Sequence, residues 1–111
     1  MLTKFFEEDV EKQIAEMAKK GEVYVFTSEI NHKSGRYQTV RTALVKSPEE
    51  AMKEIRFRKR RGDKAGVPWE YKEYYTGDQL EIGETVTLAE ATITHRNGDK
   101  SGRVDIIKRV R

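Results

Sequence analysis

The sequence predicts an α+β fold: one domain over residues 1–111 in the order αββα-βββ(β), with an antiparallel or mixed sheet and two helices packed on one of its faces. Three observations lead there. Two segments repeat apolar residues at helical spacing behind capping signals, and several short runs are rich in β-branched and aromatic residues. The connections between runs are short and hold glycine. At 111 residues the chain has length for one hydrophobic core and not for two.

Thr3 caps a first helix running to about Lys20. Phe6, Val10, Ile14 and Met17 share one face, and Glu7, Glu8, Asp9 and Glu11 lie toward the positive end of the helix dipole. Lys19 and Lys20 suit the opposite end, and Gly21 is a good residue just past it. Glu22 to Asn31 (EVYVFTSEIN) and Arg36 to Lys46 (RYQTVRTALVK) read as strands, joined at His32-Lys33-Ser34-Gly35 into a hairpin. Ser47-Pro48-Glu49-Glu50 then starts a second helix. Ser47 serves as N-cap, Pro48 takes the first position and Glu50 closes a capping box, while Ala51, Met52 and Ile55 form the buried stripe.

Phe57 lies about 200° around the helix from Ile55. Either the helix frays before it or its ring is exposed among Arg56, Arg58, Lys59, Arg60 and Arg61. Gly62 is expected to stop the helix, and Gly62 to Pro68 reads as a loop. Trp69 to Tyr75 (WEYKEYY) alternates as a strand, Gln79 to Ile82 is a candidate short strand, and Thr85 to Arg96 is another. Asn97-Gly98 signals a turn, and Arg103 to Val110 returns as the final strand.

Charge is unevenly spread. The chain carries +3 overall, with 37% charged residues. Arg56 to Lys64 holds +5 and Thr94 to Arg111 holds +4, which leaves −6 for the rest of the chain. An acidic body with two basic segments has a more directional field than a uniformly weakly basic protein. There is no cysteine, which excludes disulfides, thiolate metal sites and cysteine nucleophiles, and a reducing, cytoplasmic setting is the expectation. No apolar run approaches membrane-span length, and the start MLTKFFEEDVEKQ lacks the basic-then-apolar order of a secretory leader.

The basic run Arg56, Phe57, Arg58, Lys59, Arg60, Arg61 and Lys64 is the leading candidate contact surface. Clustered guanidinium groups grip phosphates and release counterions, and an interleaved aromatic stacks on an unpaired base. Cations also favour a helix C-terminus, but the cluster is denser than the dipole requires. Arg96, Lys100 and Arg103 supply a second basic anchor in the C-terminal hairpin. The aromatics Trp69, Tyr71, Tyr74 and Tyr75 resemble a base-stacking platform, although covering the core is the better reading of them. No RNP-like motif is present.

Ile-x-His and Lys-Ser-Gly-Arg occur twice, around His32 and again around His95. The simplest reading is two hairpin tips using the same turn residues. Anion-binding tips and a histidine acid–base pair are the alternatives, without the His-x-Thr spacing of two-histidine phosphoesterases. Two histidines with no carboxylate at ligand spacing make a poor metal site. No nucleotide-binding, metalloprotease or serine-hydrolase motif occurs, so no catalytic residue, metal or cofactor is expected.

The expectation is a small non-enzymatic domain that grips the phosphates of nucleic acid, or an acidic nucleoprotein surface, through the basic run and the C-terminal hairpin. The alternative is a regulator or inhibitor, of the mobile-element type, that binds one protein target such as a nucleic-acid-processing enzyme. A third reading is a metal-independent phosphodiesterase using His32 and His95.

Overall fold

In the computed structural model the backbone is described for residues 2–32 and 38–111, and the side chains for residues 9–32 and 38–111. The elements follow as α1 (Leu2–Ala18), β1 (Tyr24–Asn31), β2 (Gln38–Val45), α2 (Pro48–Lys64), β3 (Trp69–Glu73), β4 (Thr85–Thr94) and β5 (Lys100–Arg109). The strands make one antiparallel sheet ordered β2-β1-β5-β4-β3. The fold is α+β, as the sequence predicts. The candidate strand at Gln79 to Ile82 is irregular, and it contributes the buried Leu80 to the core.

Alternation along each strand decides what faces the helix. Tyr24, Phe26 and Ser28 of β1 are buried, and across the ladder they oppose Arg109, Ile107 and Asp105 of β5. A register shift between Thr87 and Ala89 in β4 places Leu88 in the core with Ala89, and the Leu88 carbonyl accepts from the Tyr74 N–H at 2.8 Å. Ala51, Met52 and Ile55 of α2 close the cluster over this face. Complete burial of a side chain such as Ile55 contributes about 2 kcal/mol.

From α1, Ile14 is buried and Val10 is exposed, and neither belongs to this main cluster. The least molecular extent is 22 Å, the thickness of a sheet plus one helical layer. On the sheet's other face Val25, Val104 and Ile106 are half-buried and Val40 is exposed.

The start of α2 follows its capping residues closely. The Ser47 Oγ accepts from the Glu50 N–H at 3.2 Å. The Glu50 carboxylate reaches back one residue farther than a standard capping box, to the Lys46 N–H at 2.9 Å.

The end of α2 differs from expectation. Gly62 does not stop the helix, which runs on to Lys64 with Ala65 as its C-cap and Gly66 at φ +74°. Gly62 is there for space: a Cβ at this position would stand 2.8 Å from both Trp69 Nε1 and the Val67 carbonyl oxygen. The loop folds back over the helix at this point, and the Val67 N–H donates to the Gly62 carbonyl at 2.8 Å.

The second hairpin also differs. Its turn lies at residues 95–99, where the His95 N–H donates to the Asp99 carbonyl at 2.7 Å and Gly98 takes φ +90°. Lys100-Ser101-Gly102-Arg103 is therefore not a tip. It is the first part of β5, and alternation turns Ser101 and Arg103 into the interior. The matching Lys33-Ser34-Gly35-Arg36 stretch lies outside the described residues.

Candidate nucleic-acid interface

Because α2 continues through Gly62, one helix carries the whole basic run. At 100° per residue, Ala51, Met52, Ile55 and Gly62 point to the sheet, and Lys53, Arg56, Phe57, Arg60, Arg61 and Lys64 occupy the opposite sector, about 140° wide. All six are exposed, and Phe57, near the centre of the sector, is 50% exposed. From Lys53 to Lys64 the stripe is about 16 Å long. Lys53 was missed in the sequence. Its spacing from Arg56 and Phe57 is the signal, but it counts only once the helix is known to be unbroken.

The stripe's cations are not equivalent. Arg56 is engaged bidentately by Glu73 of β3, through Nε at 2.8 Å and Nη2 at 2.6 Å. The Tyr71 hydroxyl donates to the same carboxylate at 2.7 Å. The Arg56 hydrogen bonds, assisted by Tyr71, hold the Glu73 carboxyl down at about 2 against partial burial, which acts the other way. Lys53, Arg60, Arg61 and Lys64 have no carboxylate partner among the described residues. The Arg61 guanidinium lies 5.8 Å from the Phe57 ring centroid.

Arg58 and Lys59 flank the stripe and are half-buried. Arg58 donates to Glu54 at 2.9 Å, and Lys59 meets Asp63 at 2.9 Å and lies over the Tyr71 ring. Both are turned to the helix's own carboxylates and to the sheet.

The second basic segment divides into four fates. Arg96 Nη2 donates to the Ala65 carbonyl at 2.8 Å, so the β4–β5 turn docks on the C-terminal end of α2 and adds a cation next to Lys64. Lys100 is exposed, but strand alternation sends it to the open face, away from the α2 layer. Arg103 is a correction: it is 6% exposed, bound to Asp105 through Nε at 2.9 Å and Nη2 at 3.0 Å, and stacked over Trp69 at 5.2 Å. A guanidinium so enclosed is a core strut and not a surface anchor. At the far end of β5, Arg109 pairs with Glu22 at 3.2 Å and Arg111 with Glu11 at 3.8 Å.

Most of the aromatics behave as core cover. Of the four aromatics between residues 69 and 75, Tyr71 and Tyr75 pack against the core cluster, Trp69 lies under Arg103, and Tyr74, at 42%, is well exposed. Burial, with the hydrogen bond to Glu49, pushes the Tyr75 hydroxyl up to about 12.

His32 and His95 each turn to a hydroxyl group of the strand that follows. Nε2 of His32 lies 2.7 Å from Thr39 Oγ1 on β2, and Nε2 of His95 lies 2.8 Å from Ser101 Oγ on β5. Strand β5 stands between β1 and β4, and the register offsets the two histidines by about two residues along the strands, which sets their backbones about 12 Å apart. Among the described residues no group of three histidine, aspartate or glutamate side chains could hold a metal ion, and no helix is long and apolar enough to cross a membrane.

A cleft of about 470 Å³ lies between α2 and the β1–β2 hairpin, with Phe26, Ser28 and Ala43 among the residues at its floor. Arg41, Arg58 and Arg103 line it together with Glu50 and Glu54, and Arg103 is already paired with Asp105, so charges of both signs meet there. Comparison with models of known protein families, with curated proteins and with solved structures finds no match for the chain.

Proposed function

We propose that the protein is a non-enzymatic nucleic-acid-binding domain that holds phosphates with the exposed face of α2. The observation that carries this reading is the hydrogen bond from Arg96 to the Ala65 carbonyl. It brings one cation of the second basic segment, Arg96, onto the surface formed by the first. Lys53, Arg60, Arg61, Lys64 and Arg96 then stand together without carboxylate partners among the described residues, and desolvating them toward phosphate breaks no existing ion pair. Arg56 is held by Glu73 and orients the helix, while Lys100 and Arg103 lie outside the surface.

The test is binding of labelled oligonucleotides as a function of salt. With about four or five phosphates engaged, the logarithm of affinity falls against the logarithm of salt with a slope of about −3 to −4. A triple variant with Arg60, Arg61 and Lys64 changed to Ala lowers the magnitude of that slope by about 2 to 3. Undiminished affinity and slope in that variant would remove the proposal.

The sheet face opposite α2, where Val40 is exposed, favours a second reading, in which the domain binds a single protein target as a regulator or inhibitor. Val40 is 53% exposed there, with Glu29 between it and the half-buried Val104. One stoichiometric protein retained after nuclease treatment, and lost on Val40→Lys, supports it.

A further inference from the structure

We infer that the strand held by α2 is single-stranded, RNA or DNA, with an unpaired base stacked on Phe57. This rests on the proposal that α2 is the nucleic-acid surface, and it names the kind of nucleic acid.

Three features of the helix lead to it. First, Phe57 stands half-exposed near the middle of the cationic sector, with the Arg61 guanidinium 5.8 Å from its ring centroid. Phosphate contacts alone use cations and have no need of a ring. A base laid on Phe57 removes its apolar surface from water and gains the stacking energy, with a cationic guanidinium alongside. In a duplex the bases are already stacked on one another, and inserting a ring costs the unstacking of a step.

Second, the sign of the exposed sector changes along the axis. Glu49 and Glu50 occupy the same sector about one turn before Lys53. A recognition helix in a major groove leads with its N-terminal residues, and here those are acidic and would face phosphates on both sides. The positive part, Arg56 to Lys64, is about 12 Å long, enough to follow a short piece of one strand.

Third, the sector from Lys53 to Lys64 holds no Asn, Gln, Ser or Thr, so the side chains that read adenine edges or adapt to either base edge are missing. Cations for the backbone and one ring for any base form a sequence-tolerant surface for a single strand.

The experiment measures anisotropy of labelled single strands of about 12 nucleotides, oligo(dT) and oligo(rU), beside a duplex of equal length, at about 50 mM salt. Wild type, Phe57→Ala and Phe57→Trp are compared, with circular dichroism to show that the half-exposed site leaves the fold intact. The expected result is tighter binding to single strands than to the duplex. Phe57→Ala loses about 5- to 150-fold on single strands, the range for one stacked base, and changes duplex binding little. Phe57→Trp keeps single-strand affinity, and its added indole emission is quenched by the oligonucleotide. The ratio of oligo(dT) to oligo(rU) affinity identifies which of the two strands is preferred. Binding of duplex as tightly as single strand, or an unaffected Phe57→Ala, overturns this inference and leaves the nucleic-acid reading standing. Absence of binding to every probe overturns both and points to a protein partner.

Discussion

The Arg103 guanidinium and the Asp105 carboxylate meet two residues apart on the inner face of β5, at 2.9 and 3.0 Å, with both side chains nearly inaccessible to water. Ser28 completes the group, donating from Oγ to Asp105 Oδ1 at 2.5 Å, and Trp69 covers the guanidinium. This pair ties β1, β5 and β3 together at the end of the sheet that lies beneath the C-terminal part of α2.

Removing one partner leaves the other charge buried and uncompensated. Arg103→Ala or Asp105→Ala is therefore expected to cost about 3–5 kcal/mol in urea unfolding. The double variant Arg103→Met with Asp105→Leu removes both charges and is expected to lose much less than the two single costs added together. Additive losses would show that the pair is not coupled.

Gly62→Ala opposes two effects. Alanine favours a helix interior by about 1 kcal/mol over glycine. Its Cβ, however, would stand 2.8 Å from the Val67 carbonyl, a backbone atom, and 2.8 Å from Trp69 Nε1. The overlap is the larger effect, so the variant is expected to be less stable by about 1–2 kcal/mol, with Tm lower by about 4–8 °C. A raised Tm in calorimetry would mean that the 65–68 loop yields easily.

Arg56 and Glu73 give a pH dependence with a definite sign. Glu73 is held at about 2 in the folded protein, below its ordinary value near 4.5. A lowered carboxyl contributes stability that is fully present above the unfolded value and is lost as pH falls through the folded one. The stability gap between wild type and Glu73→Gln is therefore expected to be constant above about pH 5 and to close between about pH 4.5 and 2. Because the pair is partly solvated, its size is about 1 kcal/mol, reduced by salt. A gap that persists unchanged at about pH 2 would assign the effect to packing and not to charge.

Residues that interact within a few positions of one another were readable in advance. Ser47, Pro48 and Glu50 start α2 because their hydrogen bonds span at most four residues. Asn97-Gly98 makes the β4–β5 turn for the same local reason, and the order of helices and strands follows from periodicity in segments that stand alone. The exposed setting of Phe57 is one of two readings open in the sequence, and it depends on whether the helix continues past that residue.

What depends on distant groups was not readable in this way. Glycine's low helix propensity argues for a stop at Gly62, yet the loop and Trp69, seven residues on, occupy the space a side chain would need. Arg103 reads as a surface cation because its pairing with Asp105, two residues on, is buried only by groups on other strands, Ser28, 75 residues away, and Trp69. Composition and periodicity alone specify an α+β chain with two basic segments. Packing of the sheet against α2 settles that Arg96 joins the helix end, that Lys100 faces the other side, and that Arg103 is interior. Strand alternation and long-range pairing set those directions, and neither acts until the sheet has formed.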